Sequence, residues 1–335
     1  MIRVGLIGYG LAGAVFHEPL IRACEGLELA AVLTSREHPL RVANVEDLLA
    51  HSDLVVVASP NDSHFPLARA ALEHGKHVVV DKPFTVTVEQ ANELITLAGA
   101  VNRILTVFHN RRWAADFLTL RKVLPRLGET YLLEANWDRF RPEVRQRWRE
   151  QPGPGAGLLA DLGPHMIDEV LQLFGMPDAV SADVVAQRPG AEVDDYFDMT
   201  LDYRERRVCL RASSLVSEPR PRYSVHGTAG SFIKHGLDPQ ESQLSAGMNP
   251  RDPRFGVDDR SSMLVFPDGR TTDVPQERGR YLDFYTAVVR AIVDGAPVPV
   301  DPRDARDGLL LIDLARRAAA LGQRLPVPAA SSREA

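Results

Sequence analysis

Three polar residues of this chain have the types and surroundings that proton-transfer chemistry requires. Lys82 stands in Val80-Asp81-Lys82-Pro83, directly after an apolar run. Asp161 precedes a predicted helix, and His165 lies in the first turn of that helix. Lysine and histidine can exchange a proton near neutral pH, whereas arginine cannot. A carboxylate and an imidazole four residues apart can share one substrate, so these residues are candidates for general acid–base catalysis.

Each candidate also has a plain structural interpretation. Lys82 fits a solvated lysine at the end of a strand, Asp161 a helix cap, and His165 a buried core residue. Asp161 and His165 are also possible metal ligands. No Cys, His and Glu residues with metal-ligand spacing accompany them, so we predict no metal.

A glycine motif indicates a nucleotide site. Gly8-Tyr9-Gly10-Leu11-Ala12-Gly13 matches G-x-G-x-x-G and lies between a predicted strand and a predicted helix. There the first glycine permits a tight turn, the second lets the backbone approach a pyrophosphate, and the third lets helix and strand pack closely. The helix N-terminus offers N–H groups and a partial positive charge to the anion. The predicted binding residues in this motif are Gly8, Gly10, Leu11, Ala12 and Gly13.

The end of the second predicted strand bears on the choice between NAD and NADP. NAD-binding proteins usually carry an acid about 20 residues after the glycine motif, where it binds the ribose 2′-hydroxyl. Here the strand ends in Val32-Leu33-Thr34-Ser35-Arg36. Arg36 can bind a 2′-phosphate, and Thr34 or Ser35 can donate a hydrogen bond to it. Glu37, or a purely surface role for Arg36, leaves NAD open, but we predict NADP as the preferred cofactor.

Apolar runs and helical spacing alternate through the first third of the chain. Predicted strands cover Ile2–Gly8, Leu27–Leu33, Leu54–Ser59, His77–Val80 and Arg103–His109. Predicted helices cover Leu11–Cys24, Val45–His51 and Ser63–His74, and another starts at Thr87 with capping-box spacing. This alternation predicts βαβ units and a doubly wound parallel sheet.

The pattern changes after residue 120. Predicted strands follow at Thr130–Asp138, Ala179–Ala186, Tyr196–Tyr203, Arg207–Ser214 and Ser231–Lys234. Predicted helices lie at Pro164–Phe174, Leu282–Asp294 and Asp304–Leu321, and residues 238–260 are predicted to form a long loop. We therefore predict an α/β protein of two domains, a Rossmann domain at residues 1–120 and an α+β domain with an antiparallel sheet at residues 121–335.

Composition limits the class of protein further. The chain has 335 residues, of which 44% are hydrophobic and 25% charged, and its net charge is −6. The negative charge argues against nucleic acid as a partner. Two cysteines are too few for a disulfide framework, which favours the cytoplasm. No apolar run approaches the roughly 18 residues that span a membrane, and we expect no signal peptide. Five arginines between positions 139 and 149 form either a solvated surface or a rim that binds an anionic ligand.

Three motifs, in this order, resemble the Gfo/Idh/MocA oxidoreductases. They are the glycine motif at 8–13, Asp81-Lys82-Pro83 and Asp161-Leu162-Gly163-Pro164-His165. Two further segments, Ser59-Pro60-Asn61-Asp62-Ser63-His64 and Phe108-His109-Asn110-Arg111-Arg112-Trp113, resemble the branch that holds an NADP-dependent scyllo-inositol dehydrogenase. The chain departs from the family pattern at Asp81, where Glu is more common, and at Ala156, where many relatives have glycine.

The resemblance implies a Rossmann domain followed by an α+β domain whose large open sheet forms a homodimer or homotetramer interface. It implies that Lys82, Asp161 and His165 are catalytic and contact the substrate, and that the Lys82–Pro83 peptide bond is cis. The further cofactor-binding residues that it implies are Ser59, Pro60, Asn61, His64, Asp81, Lys82, Pro83, Asn110 and Trp148. The further substrate-binding residues that it implies are Asn110 and Tyr281.

These features together predict an NAD(P)-dependent dehydrogenase. The predicted reaction transfers a hydride between nicotinamide and a hydroxyl-bearing carbon of a sugar, inositol or related polyol. We expect His165 to accept the hydroxyl proton and Lys82 to stabilise the oxyanion, and the sequence leaves open which of the two is the base. One alternative is a reductase or dehydrogenase of another sugar derivative (an aldose, a sugar acid, a C=N or an enone). Another is a non-catalytic NADP-sensing protein on the same fold.

Overall fold

The computed structural model of the protein describes residues 1–328, and its strands form two sheets. The first sheet contains β1 (Ile2–Ile7), β2 (Leu27–Leu33), β3 (Arg41–Val42), β4 (Leu54–Val57), β5 (His77–Val80) and β6 (Leu105–Val107). The second contains β7 (Thr130–Asp138), β8 (Ala179–Val185), β9 (Tyr196–Tyr203), β10 (Arg206–Ser213), β11 (Tyr223–Gly227), β12 (Gly230–Lys234), β13 (Ser262–Val265), β14 (Thr271–Val274) and β15 (Leu325–Pro326). The α-helices are α1 (Glu18–Ala23), α2 (Val45–Ala50), α3 (His64–Glu73), α4 (Val88–Ala100), α5 (Ala115–Val123), α6 (Leu158–Phe174), α7 (Gln240–Ser245), α8 (Leu282–Val293) and α9 (Pro302–Leu321).

Contacts divide the chain into two compact units, neither of which is continuous in sequence. The first unit contains Met1–Leu118, Asp238–Asp259 and Gln276–Leu309. The second contains Thr119–Leu237, Arg260–Pro275 and the described chain from Leu310 onward. Two late segments therefore belong with the N-terminal part of the chain.

The first unit contains the parallel sheet, whose strand order is β3-β2-β1-β4-β5-β6. This is the order of the Rossmann fold, and it confirms the predicted doubly wound sheet. β4 is completely buried along Leu54–Val57, as expected for a strand covered on both faces. The sequence did not predict β3, which is only two residues long.

Local capping explains where two helices of this unit begin. The side chain of Asn44 accepts a hydrogen bond from the backbone N–H of Asp47 at the start of α2. The hydroxyl of Thr87 accepts one from the N–H of Gln90 at the start of α4, which confirms the predicted cap. The prediction of one long loop over residues 238–260 was wrong, because α7 forms within it.

The second unit contains the nine-stranded sheet in the order β14-β13-β12-β11-β7-β10-β9-β8-β15. Only the central pair β7 and β10 is parallel in this sheet, with Leu133 opposite Val208, and the other neighbours are antiparallel. The predicted large, mostly antiparallel sheet is therefore confirmed. One face packs apolar side chains from α6 and α9, such as Met166 and Leu311, against strand residues such as Leu210.

Helix α6 begins six residues before its predicted start at Pro164. The carbonyl of Asp194 accepts a hydrogen bond from the N–H of Leu158, and its carboxylate accepts one from the N–H of Leu159 at 2.7 Å. Because this cap comes from a distant part of the chain, local spacing could not reveal it. Asp161 therefore lies within the first turn of the helix and does not precede it, and Pro164 lies inside.

Across the described residues 1–328, none of the helices has the length and apolar character needed to cross a membrane. Within the same range, no group of three or more His, Cys, Asp or Glu side chains is arranged to hold a metal ion.

Candidate active site

The turn after β1 is built from glycines that close packing requires. Gly8 has a φ of +95°, a left-handed conformation, and a Cβ there would lie 2.5 Å from the carbonyl oxygen of Ala58. A Cβ on Gly13 would overlap the carbonyl oxygen of Gly8. These two glycines therefore let the helical turn Ala12–His17 pack directly against the end of the strand, as the motif requires.

Gly10 meets a different environment. Apart from Gly10 itself and its two chain neighbours, no heavy atom of the described chain lies within 4 Å of the position that its Cβ would occupy. The next residue, Leu11, is 61% exposed and stands at the start of the helical turn. Backbone that faces open space beside a helix N-terminus has the geometry that admits a pyrophosphate. The residues present therefore fit a dinucleotide cofactor.

The residues predicted to choose between NAD and NADP lie in a turn after β2. The hydroxyl of Thr34 accepts a hydrogen bond from the backbone N–H of Arg36 at 3.0 Å, and Ser35 and Arg36 are exposed. Positions 34–36 hold no carboxylate. The exposed guanidinium of Arg36 can meet a phosphate in this turn.

A polar cluster that the sequence did not predict ties the glycine motif to the chain after β2. Tyr9 donates its hydroxyl hydrogen bond to the carboxylate of Glu18, which also accepts from Arg22 at 2.6 Å. The hydrogen bond with Glu18 raises the pKa of Tyr9 to about 12. The rings of Tyr9 and His38 meet edge to face with centroids 4.9 Å apart. Tyr9 occupies a variable position of the motif, so the sequence carried no signal for its role.

The predicted residues after β4 and β5 are brought together by a buried histidine. His64 is 1% exposed, its Nδ1 lies 2.8 Å from the carbonyl oxygen of Pro83, and its Nε2 lies 2.9 Å from that of Ser59. The hydroxyls of Ser59 and Ser63 are 2.7 Å apart. His64 thus links two loops at the carboxyl edge of the parallel sheet, where ligands bind in open α/β folds. Pro60 and Asn61 lie between these contacts, and Asn61 is buried.

The Asp81-Lys82-Pro83 motif follows β5 at the same edge of the sheet. The peptide bond between Lys82 and Pro83 is cis, which confirms what the resemblance implies. Lys82 is half-buried and Asp81 is buried. The Oδ1 atom of Asp81 lies 3.7 Å from Nε2 of the fully buried His17.

The charge state of Asp81 follows from these neighbours. Burial raises the pKa of its carboxyl group, but the neighbouring side chains of His17, Lys82 and His64 lower it by more than burial raises it. The net effect is a pKa below the ordinary value of an aspartate. Asp81 is therefore an anion beside Lys82 at neutral pH.

The loop after β6 places Asn110 in the helical turn Asn110–Trp113, where it is buried. Tyr281 lies in the same unit and has no exposed surface. Its backbone N–H donates to Gln240 at 2.7 Å, and the guanidinium of Arg111 lies 6.0 Å from its ring centroid. The predicted contact of Tyr281 with substrate stays a prediction.

Asp161 and His165 belong to the second unit, whereas Lys82 belongs to the first. Four residues apart on α6, Asp161 and His165 project from one face of the helix. Asp161 is partly exposed, and Arg139 and Arg149 approach its carboxylate at 3.8 Å and 3.6 Å.

His165 is 7% exposed, and an aromatic and ionic cluster surrounds it. Its ring centroid lies 5.9 Å from that of Trp137. The guanidinium of Arg222 lies 5.2 Å from the Trp137 ring centroid and forms a buried ion pair with Glu169. The sequence predicted His165 but not Trp137, Arg222 or Glu169. Trp137 and Arg222 come together only when β7 pairs with β11, and Glu169 of α6 meets Arg222 only when the helix packs on the sheet.

Trp148, predicted to contact the cofactor, lies in a short helical turn of the second unit. It is 36% exposed, and the guanidinium of Arg149 stacks 4.4 Å above its ring. This stacking orients Arg149, whose Nε atom is the one that lies 3.6 Å from Asp161.

The parallel sheet with its glycine turn and open backbone defines the first unit as a dinucleotide-binding Rossmann domain. Family models agree: residues 2–109 match the NAD-binding Rossmann fold of the Gfo/Idh/MocA oxidoreductases, and residues 124–328 match the C-terminal alpha/beta domain of the same family. The protein belongs to the Gfo/Idh/MocA oxidoreductase family.

Individual relatives match nearly the whole chain. The uncharacterised oxidoreductase YdgJ of Escherichia coli strain K12 is 45% identical, over 93% of this chain and 95% of its own length. The scyllo-inositol 2-dehydrogenase (NADP(+)) IolW of Bacillus subtilis strain 168 is 38% identical, over 94% and 92%. The solved structure of YvaA from Bacillus subtilis has a TM-score of 0.94 and 37% identity, and covers 97% of this chain and 98% of its own.

Proposed function

We propose that this protein is an NADP-preferring dehydrogenase that acts on a hydroxyl-bearing carbon of a sugar, inositol or related polyol. The observation that carries the proposal is the glycine turn, whose backbone faces open space at Gly10 in a chain of an oxidoreductase family. The similarity to a protein named an NADP-dependent scyllo-inositol dehydrogenase supports both the cofactor preference and the class of substrate.

The cofactor would be held by residues of the first unit. The backbone at Gly8–Gly13 would receive the pyrophosphate, and the exposed turn at Thr34–Arg36 would receive the 2′-phosphate. The loops after β4, β5 and β6, which carry Ser59–His64, Asp81–Pro83 and Asn110, would border the nicotinamide. Bound NADP supplies the hydride acceptor or donor.

A residue of the protein must accept one proton during oxidation and return it in the reverse reaction. Oxidation of an alcohol to a carbonyl removes a hydride from carbon and a proton from the hydroxyl oxygen. We assign the proton to a ring nitrogen of His165, and we assign stabilisation of the developing oxyanion to Nζ of Lys82. Asp161 orients His165 or accepts a hydrogen bond from a neighbouring substrate hydroxyl. In the reverse direction the same groups return the proton.

Initial rates of nicotinamide reduction test this proposal. The purified protein is assayed with NADP⁺ and NAD⁺ against inositols, aldoses and sugar acids. We expect Lys82→Ala to lower kcat at least about 10²-fold. Lys76→Ala is the matched control, because Lys76 precedes β5 and lies at the opposite edge of the sheet; it should leave the rates unchanged.

Three results would contradict the proposal in whole or in part. Turnover by Lys82→Ala near that of the wild type would remove the catalytic assignment. Tight NADPH binding without turnover of any alcohol or carbonyl in the panel would favour the non-catalytic, NADP-sensing alternative. Turnover confined to a C=N or enone substrate would keep the oxidoreductase but change the bond on which it acts.

We also propose that the protein is a homodimer or homotetramer through the second sheet. The face of this sheet opposite α6 carries half-exposed polar residues, including Arg211, which pairs with Glu134 at 2.5 Å and Asp198 at 2.8 Å. Light scattering of the purified protein should give a mass of two or four chains. A monomer would contradict this proposal.

A further inference from the structure

The chain that leaves β7 carries a dense set of positive charges in the second unit. We call it the arginine segment, and its basic residues are Arg139, Arg141, Arg145, Arg147 and Arg149. Arginine is the residue that best matches the planar, bidentate geometry of carboxylate and phosphate groups.

Hydrogen bonds to the end of β10 anchor the start of the arginine segment. The backbone N–H of Arg139 donates to the carbonyl of Ser213 at 2.9 Å, and that of Arg141 donates to the carbonyl of Ser214 at 2.7 Å. The chain before these two arginines is the sheet itself. Their side chains therefore start from fixed positions.

A buried arginine braces the middle of the segment. Arg188, 6% exposed, donates to the carbonyl oxygens of Arg141 at 3.2 Å and Glu143 at 3.0 Å. The carboxylates of Asp195, at 2.8 Å, and Glu150, at 3.1 Å, hold its guanidinium. The segment is thus ordered by the protein before any ligand binds, which lowers the entropy cost of binding.

Arg141 differs from three other arginines of the segment by having no carboxylate partner within residues 1–328, and from the exposed Arg145 by being half-buried. Arg139 and Arg149 approach Asp161, and Arg147 pairs with Glu150 at 2.8 Å. Among the described residues, the Arg141 side chain forms no ion pair within 4 Å, although it is half-buried.

The charges around Arg141 are mostly of its own sign. Burial lowers the pKa of its guanidinium, and the positive charges of Arg139, Arg145 and Arg147 lower it further, against a smaller opposing effect of Asp161. A guanidinium held among like charges is stabilised by an added anion. The protein therefore keeps the guanidinium of Arg141 among like charges, in the same segment as the two arginines that approach the Asp161 carboxylate.

From this geometry we propose that Arg141, together with Arg139 and Arg149, binds a carboxylate or phosphate group of the substrate. The inference rests on the proposed function, because it places Asp161 in the substrate site. It narrows the substrate class to anionic polyhydroxy compounds, such as a sugar acid or a sugar phosphate.

A matched set of substrates tests the proposal, consisting of glucose, glucuronate and glucose 6-phosphate, with scyllo-inositol as a second neutral compound. We expect kcat/KM for an anionic member to exceed that for glucose by about 10- to 100-fold, the range for a charged hydrogen bond. Arg141→Ala should remove most of this advantage. Arg204→Ala, which deletes an exposed arginine of the β9–β10 turn, should leave every rate unchanged.

Affinity measurements decide the proposal even if the panel is not turned over. Calorimetry with the NADPH complex should show glucuronate or glucose 6-phosphate binding at least about 10-fold tighter to the wild type than to Arg141→Ala. The proposal would be overturned if the wild type and Arg141→Ala bound the anionic sugars with equal affinity. It would also be overturned if the wild type bound glucose as tightly as the anionic sugars. The anionic group that Arg141 binds could instead be a phosphate of the cofactor. Weaker NADPH binding to Arg141→Ala, with unchanged discrimination among sugars, would assign the arginines to the cofactor and overturn the substrate assignment.

The two proposals fail separately. Loss of NADPH binding or absence of any turnover would count against the proposed function, while the sugar affinities still report on Arg141. Turnover of neutral inositols with no preference for anions would keep the dehydrogenase and overturn only the anionic substrate.

Discussion

The Nδ1 atom of His17 lies 2.6 Å from the hydroxyl oxygen of Tyr285, and both side chains are completely buried in the first unit. Burial raises the pKa of Tyr285 well above its usual range, so its hydroxyl stays protonated and can donate. On the other side of the ring, Nε2 faces Asp81, the residue before Lys82. This contact joins the helical turn after the glycine motif to α8, which lies 268 residues further along the chain.

Removing the Tyr285 hydroxyl should therefore destabilise the protein. Tyr285→Phe leaves a buried ring nitrogen of His17 without that partner, at a cost of about 1–3 kcal/mol. We expect Tm, followed by calorimetry, to fall by about 2 °C or more. Tyr203→Phe is the control, because its hydroxyl donates to Gly175 in the second unit at a half-exposed position where water can replace it. An equal fall in Tm in the two variants would show that the contact with His17 does not stabilise the protein more than the half-exposed contact of Tyr203 does.

The His17–Tyr285 contact also shows the limit of inference from sequence. Apolar runs predicted the parallel strands, capping-box spacing predicted the helix after Thr87, and the glycine motif predicted the turn. Each of these signals depends only on residues that are neighbours in the sequence. The assignment of α8 to the first unit depends on packing between distant segments, and no local pattern encodes it.

Some features of the candidate site could likewise be predicted from local sequence, whereas others depend on distant residues. Glycine motifs, lysine–proline motifs and an Asp–His pair are local, so the sequence could single out Gly10, Lys82 and His165. The start of α6 at Leu158 depends on Asp194, which lies more than thirty positions away, so the sequence placed the helix start too late. Residues that only support the site carry no such signature.

Substitutions in the glycine turn should affect cofactor affinity and thermal stability separately. Gly10→Ala adds a Cβ where the protein has open space, so we expect an unchanged Tm but NADPH affinity at least about 10-fold weaker, because the methyl group blocks the approach of the pyrophosphate. Gly13→Ala should lower Tm, because its Cβ overlaps the carbonyl of Gly8. Gly99→Ala, in the open on α4, is the control and should leave NADPH affinity unchanged and Tm equal or higher. Full NADPH affinity in Gly10→Ala would place the cofactor elsewhere.

We expect Arg36, in the turn after β2, to cause the preference for NADP⁺ over NAD⁺. Arg36→Ala should raise KM for NADP⁺ by about 10- to 100-fold, the range for a charged hydrogen bond to a phosphate, and should change KM for NAD⁺ little. Arg69→Ala, an exposed arginine on α3 that pairs with Glu73, should change neither value. A wild type that prefers NAD⁺, or equal effects of Arg36→Ala on both cofactors, would contradict this role.

A buried carboxyl group in the first unit, Asp238, makes a contribution to stability that depends on pH. Its Oδ2 accepts a hydrogen bond from the N–H of Ala115 at 2.6 Å, and its Oδ1 accepts one from the N–H of Gln240 at 2.8 Å. Burial and the negative charge of Asp116 raise its pKa to about 6. An unfolded aspartate has a pKa of about 4. Between these two values the folded state keeps a proton that the unfolded state has lost.

The contribution of Asp238 to stability should therefore fall as pH rises from about 4 to about 6, because its carboxyl group binds fewer protons in the unfolded state than in the folded state in this window. A rise of about two pKa units corresponds to at most about 3 kcal/mol. Asp116→Asn keeps an oxygen that can accept from the N–H of Phe117 and removes the charge beside Asp238. The Tm of this variant, relative to the wild type, should increase between pH 4 and pH 7. Asp62→Asn, at an exposed position, should show no such trend; a parallel pH dependence of Asp116→Asn and wild type would mean that Asp116 does not act on Asp238.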